Sequence, residues 1–227
     1  MLVVRTLLPL ALVIACAGPA PATPTALAPT ATPSPTPAPT PSPTRAALLD
    51  FPPGDGVALQ PGRYSSQPPF DIAFSFEIPV AGWGSAHQDG EFFDVIQPAQ
   101  VGVSPTRWIA WALPTILHGA QDVEAAELAP DDAVAALASH PDIESSEPVP
   151  YAVDGVGGLM LDLATEVFGV ELFGGPAGDL QLDPDYQTRL IILPHDQRLL
   201  LVLVLAPRGE LEQAWADSKP IVDSIEL

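Results

Sequence analysis

The sequence predicts an α+β fold for residues 46–227, an antiparallel β-sheet covered by a few helices. Three observations lead there. Residues 70–78 alternate strictly: Phe70, Ile72, Phe74, Phe76 and Ile78 face one way, and Asp71, Ala73, Ser75 and Glu77 the other. That is the period of a half-buried strand. Residues 199–205 read LLLVLVL, an apolar run between turn residues, as expected of a central strand covered on both faces. Only residues 131–139 and 210–217 carry helical spacing, and the strands come in runs rather than alternating with helices.

The N-terminus predicts export. One positive charge, Arg5, precedes an apolar run over residues 6–15. The run is too short to cross a ~30 Å hydrocarbon core as a helix and has the size of a signal-peptide core. It ends in Val13-Ile14-Ala15-Cys16, which resembles the bacterial lipoprotein box. The resemblance implies cleavage before Cys16 and a lipid on Cys16. Residues 1–15 are then a lipoprotein signal peptide. Cys16 is the sole cysteine, so no intrachain disulfide forms. The expected location is extracytoplasmic, on the outer face of a membrane. Two alternatives stay open: an ordinary signal peptide cut near Ala20 or Ala22, giving a secreted protein, and an uncleaved N-terminal anchor.

Residues 16–45 read as a disordered Pro/Thr/Ala-rich linker. Residues 17–44 hold only Ala, Gly, Pro, Thr, Ser and one Leu, with ten prolines and no charge. Such a chain buries too little apolar surface to offset its ordering entropy. Polyproline II at ~3.1 Å per residue gives it a reach of roughly 85 Å. The Thr/Ser/Pro mixture also resembles O-glycosylated stalks.

Residues 46–227 are long enough for one core and are expected to form a single acidic domain. All 28 Asp and Glu lie there against six Arg and Lys, a formal charge of −22. Nucleic acid and anionic headgroups would be repelled. Pro61-Gly62-Arg63-Tyr64 reads as a turn entering a strand, and the strand over 70–78 follows. Residues 91–96 and 107–113 read as the next strands. The second places Trp108 and Trp111 on opposite faces of the sheet. In the helix over 131–139, Pro130 stands in the first turn, Asp131 and Asp132 suit the positive end of the dipole, and Pro141 ends it. Residues 149–154 and 158–165 are strands joined by a glycine-rich turn. Residues 189–193 and 199–205 form a hairpin about Pro194-His195-Asp196-Gln197. The helix over 210–217 turns Leu211, Ala214 and Trp215 inward, and residues 221–227 close the chain as a short turn and edge strand.

One order of motifs stands out: Pro79-x-x-Gly82-Trp83 after an early strand, then Leu137-x-x-His140-Pro141-Asp142-Ile143, then Val153-Asp154-Gly155-Val156-x-Gly158, and finally Ile221-Val222-Asp223-Ser224-Ile225 after a helix. It is similar to exported bacterial domains of uncharacterised activity, often lipoproteins with Pro/Thr tethers, and resembles the PsbP-type sandwich, with one residue inserted before Gly82. The resemblance spans about residues 61–227. It implies an antiparallel sheet covered by helices and mostly binding or accessory roles, and it assigns no catalytic residue.

No catalytic, metal or cofactor motif is assembled in the sequence. Gly82-Trp83-Gly84-Ser85-Ala86 lacks the glycine spacing and the strand-to-helix context of a nucleophile elbow. His87, Asp89 and Asp94, and separately Asp179, Asp183 and Asp185, have metal-ligating side chains but not the spacing of a metal loop. They read as solvated acidic loops. His140 suits a helix end and His195-Asp196 a turn, while His118 has no evident partner. The ligand-binding candidates are Trp108 and Trp111, one of which would line a groove if they face opposite ways. The function expected is a non-enzymatic binding or accessory module, held to the membrane through its lipid and engaging an envelope protein or small ligand. The alternative is a cell-envelope hydrolase whose site is assembled from distant residues, marked by a polar cleft with a paired His and carboxylate.

Overall fold

The LLLVLVL run lies at the heart of the structure. The computed structural model describes residues 47–52, 56–99, 105–175 and 178–227. Contacts divide the chain between Pro43 and Thr44, and every described residue lies in the second part. The expected signal peptide 1–15, Cys16 and the linker 16–45 lie outside the described residues.

Fifteen strands are described: β1 Leu48–Asp50, β2 Gly62–Ser65, β3 Ser75–Ile78, β4 Gly84–Gln88, β5 Phe92–Gln97, β6 Arg107–Ala112, β7 Ile116–Leu117, β8 Val123–Glu124, β9 Glu144–Ser145, β10 Val149–Val153, β11 Val156–Ala164, β12 Val170–Gly175, β13 Gly178–Leu182, β14 Tyr186–His195 and β15 Arg198–Pro207. The helices are α1 Pro130–Ala138 and α2 Leu211–Asp223. The central sheet has the order β10-β11-β14-β15-β6-β5-β4, with β9 also paired to β11, and its ladders are antiparallel. A three-stranded sheet, β1-β2-β3, and a four-stranded sheet, β13-β12-β7-β8, stand beside it.

The side chains of β15 divide between two cores. Leu200, Val202, Val204 and Ala206 join Trp111, Phe76, Ile78, Tyr64 and the inner face of α2. Leu199, Leu201, Leu203 and Leu205 join Leu172, Phe173, Leu117 and the inner face of α1. With no polar residue to alternate, the strand buries both faces. Each cover is therefore one small sheet with one helix.

This overturns the expected α+β class. The fold is mostly β, with 47% of described residues in strands and 13% in helices. The layers covering the central sheet are themselves largely sheet, because short strands such as β12 bring Val170, Leu172 and Phe173 onto it.

Two local readings change as well. The alternation over 70–78 survives as burial except at Ser75, which is buried as well, and ladder pairing begins only there. Before it, Ser66 replaces the ladder: its Oγ donates to the Ile72 carbonyl at 2.8 Å and accepts from the Phe74 N–H at 3.0 Å. At the C-terminus α2 runs through Pro220 to Asp223 instead of stopping at Asp217. Pro220 and Ala216, whose carbonyl loses its helical donor, are both exposed, which limits the cost of that loss. Ile221 and Val222 gain full burial. Of the expected edge strand only a bridge between Glu226 and Ser75 remains.

The two central hairpins turn on two residues each. Asp154-Gly155 joins β10 to β11 with φ of 49° and 77°. Both residues then occupy the left-handed region that such tight hairpins use. Arg189 ties β11, β14 and α2 together, donating to Asp162 at 2.7 and 2.8 Å and to Glu212 at 2.6 Å over the Trp215 ring. Asp162 first, then Glu212, hold its guanidinium more firmly charged than usual, against the cost of burial.

Candidate functional site

The faces of β5 and β6 that carry Asp94 and Trp108 leave the central sheet toward the β12–β13 hairpin. Between them lies a cavity of about 310 Å³. Strand parity sets its sheet-side wall. Phe93 and Trp111 point into one core, so Phe92, Asp94 and Trp108 point the other way. Phe92 and Trp108 meet edge-on, with ring centroids 6.4 Å apart and planes at 78°. Phe173, Leu113, Pro114 and Leu180 complete the apolar lining.

Asp94 is buried, 2% exposed, and one of its oxygens accepts the Trp108 indole N–H at 2.7 Å. The other accepts the His87 backbone N–H. The carboxylate thereby fixes the orientation of the indole. At the mouth, His87 Nε2 lies 2.8 Å from Asp89 Oδ2, and Asp89 Oδ1 accepts the backbone N–H groups of Glu91 and Phe92 at 2.8 and 2.7 Å.

Two consecutive glycines make room for two more carboxylates. A Cβ on Gly174 would stand 2.4 Å from Asp179 Oδ1, and one on Gly175 would stand 2.3 Å from Glu91 Oε2. No side chain larger than hydrogen fits there without displacing an acid.

Among the described residues the lining thus holds Asp89, Glu91, Asp94 and Asp179, and no Lys, Arg, Ser, Thr, Cys or Tyr. The basic side chains among the described residues are engaged elsewhere. Arg63 pairs with Glu226, Arg107 with Asp217, Arg189 with Asp162 and Glu212, Arg198 with Asp71, Arg208 with Glu166 and Lys219 with Asp223. Depressions of about 440, 480 and 570 Å³ elsewhere are each lined by members of these pairs.

The structure places Trp108 on the cavity wall and Trp111 in the core, fully buried. It brings His87, Asp89, Asp94 and Asp179 to one cavity, although Asp179 lies in β13 rather than in a loop. Asp183 and Asp185 stay apart, the first accepting the Gly169 N–H at 3.1 Å. Among the described residues, no group of three or more His, Cys, Asp or Glu is arranged to hold a metal. Ser85 is buried in β4. His118 finds a partner in Asp122, 2.9 Å away. Nδ1 of His140 accepts the Asp142 N–H at 3.1 Å. His195 is the last residue of β14 and Asp196 the first of the β14–β15 turn, their side chains 3.9 Å apart. Phe92, Glu91, Phe173 and the glycine pair enter the site unannounced by any motif. The Gly174-Gly175 doublet after Leu172-Phe173 was the available signal.

In chemical terms the cavity offers aromatic surface and hydrogen-bond acceptors. At the rim His87 is paired with Asp89, the His–carboxylate pairing that marks the hydrolase alternative, while none of the described lining side chains supplies a hydroxyl or thiol.

No family model matches the chain, and no curated protein matches it. Solved structures with a similar chain path include a Bacteroides thetaiotaomicron protein at 11% identity and a TM-score of 0.40, covering 74% of this chain. This chain spans 48% of that protein's length. The cyanobacterial PsbP protein of Synechocystis is similar at 12% identity and a TM-score of 0.41, over 77% of this chain and 94% of its own. Mycobacterium tuberculosis LpqN, described as involved in cell envelope biogenesis, is similar at 10% identity and 0.39, over 72% and 88%. Likeness at these scores identifies no activity, ligand or partner.

Proposed function

We propose that this chain is a lipid-anchored, extracytoplasmic binding module whose ligand seat is the Trp108 cavity. One observation carries the reading: a cavity of about 310 Å³, walled by aromatic rings and rimmed by carboxylates, with no hydroxyl or thiol side chain among its described lining residues. Pockets of this kind and size take small ligands, since surveyed sites run from ~300 to 1,000 Å³. The export signal, the box at Cys16 and the uncharged linker support an anchored role, with the domain held away from the membrane.

The test is tryptophan emission of the full chain, titrated with a panel of small cationic, anionic and neutral compounds. A compound that saturably shifts emission is expected, and Trp108→Phe should abolish the shift while leaving the circular dichroism spectrum unchanged. If no compound shifts the emission, the cavity is not a ligand seat.

The anchor is tested separately. Cys16→Ala is expected to move the full chain from the detergent phase to the aqueous phase in a Triton X-114 partition and to stop incorporation of labelled palmitate. Unchanged partition and labelling would discard the lipid anchor.

A further inference from the structure

We propose that the Trp108 cavity takes a small organic cation, an amine or quaternary ammonium group carried on a small apolar body. The inference rests on the reading of this cavity as a ligand seat and adds the chemistry of the ligand.

Three observations converge on it. The first is shape: Phe92 and Trp108, their planes 78° apart, form a corner of two aromatic walls, with Phe173 beside them. Aromatic faces attract a cation through the ring quadrupole, Trp most strongly, and cages of such rings hold quaternary ammonium groups. The second is charge. Asp89, Glu91 and Asp179 stand around the cavity, and each Lys and Arg of the described residues is paired to an acid outside it. A cleft of one sign with low-dielectric walls concentrates the opposite charge. The third is hydrogen bonding. The indole N–H of Trp108 is already given to Asp94, and among the described lining residues the other side chain with ring nitrogens, His87, already faces Asp89 at 2.8 Å, so the cavity is rich in acceptors and poor in donors. A sugar needs donors as well as acceptors, and an anion needs donors only. An ammonium group brings donors alone, and a quaternary ammonium needs none.

The Gly174-Gly175 doublet fits the same reading. A larger residue would displace Asp179 or Glu91 from the cavity, removing charge as well as space.

Isothermal titration calorimetry on the full chain tests the inference with three probes: choline, its neutral isostere 3,3-dimethylbutan-1-ol, and glucose. Choline is expected to bind roughly 10-fold or more tightly than the isostere, given the strength of cation–π contacts at desolvated sites. Its affinity should fall as ionic strength rises. Asp179→Asn should weaken choline several-fold without changing the binding of the isostere, and Trp108→Phe should weaken choline while circular dichroism shows the fold retained. If the isostere binds as well as choline, or glucose alone binds, the cation inference is overturned and the ligand seat stands. If none of the three binds and the tryptophan panel is also silent, both fall together.

Discussion

Trp111→Ala is expected to lower the unfolding free energy by about 4 kcal/mol, the cost of emptying a large aromatic site in a packed core. Trp111 is fully buried, and its ring lies 5.3, 5.1 and 5.3 Å from those of Phe74, Phe76 and Phe93. Three rings that now pack on the indole would face a void. For a domain of this size such a loss lowers Tm by roughly 8–16 °C. Trp111→Phe should behave very differently. The indole Nε1 is buried with no hydrogen-bond partner among the described residues. A desolvated donor of this kind costs about 1–3 kcal/mol. Phenylalanine removes that donor while keeping an aromatic ring, so its net effect should stay within about 1 kcal/mol of wild type. Thermal unfolding followed by circular dichroism measures both. If Trp111→Phe proves as damaging as Trp111→Ala, the indole N–H has a partner and this account of the core is wrong.

The second large effect is a backbone collision. A Cβ added at Gly158 in β11 would stand 2.1 Å from the carbonyl oxygen of Ile192 and 2.9 Å from Leu193 Cδ2. The neighbour is the backbone of β14, two strands from the sheet's edge, so no side-chain rotation relieves the contact. Gly158→Ala should therefore cost about 3 kcal/mol, at the upper end for overpacking. Gly157, one residue earlier, has nothing within 4 Å of the same added atom. Gly157→Ala should change stability by less than about 0.5 kcal/mol. Urea unfolding of the pair checks the contrast. Equal losses for both would mean that glycine flexibility in the turn, and not the approach of β14, is what matters.

Legibility in the sequence followed the strength of the local pattern. The β14–β15 hairpin could be read because an unbroken apolar run between turn residues has few other folds available. The opposite facing of Trp108 and Trp111 came from parity alone, and strand geometry enforces it wherever the segment is extended. The covering layers could not be read. Strands of two or three residues such as β1, β7 and β9 are too short to show a period. The facing ends of β12 and β13 carry Gly174, Gly175 and Gly178, which in the sequence have the composition of a loop. The amphipathic stripe over 210–217 shows only the first part of α2, which runs on through Pro220 to Asp223 although proline is unfavourable inside a helix. Burial of Ile221 and Val222 outweighed that preference. The site was the least legible part. Its walls come from residues 87–94, from Trp108, Leu113 and Pro114, and from Phe173, Gly174, Gly175, Asp179 and Leu180, and the topology alone makes them neighbours.

The strand order also sets a timetable for the chain. The two strands at the middle of the central sheet, β14 and β15, are the last strands in the sequence, with only α2 and a short tail after them. Until they emerge, β6 has no partner on its inner side and β11 no link to the rest of the sheet. Synthesised from its N-terminus, the chain cannot close either core before its final segment, of about forty residues, is available.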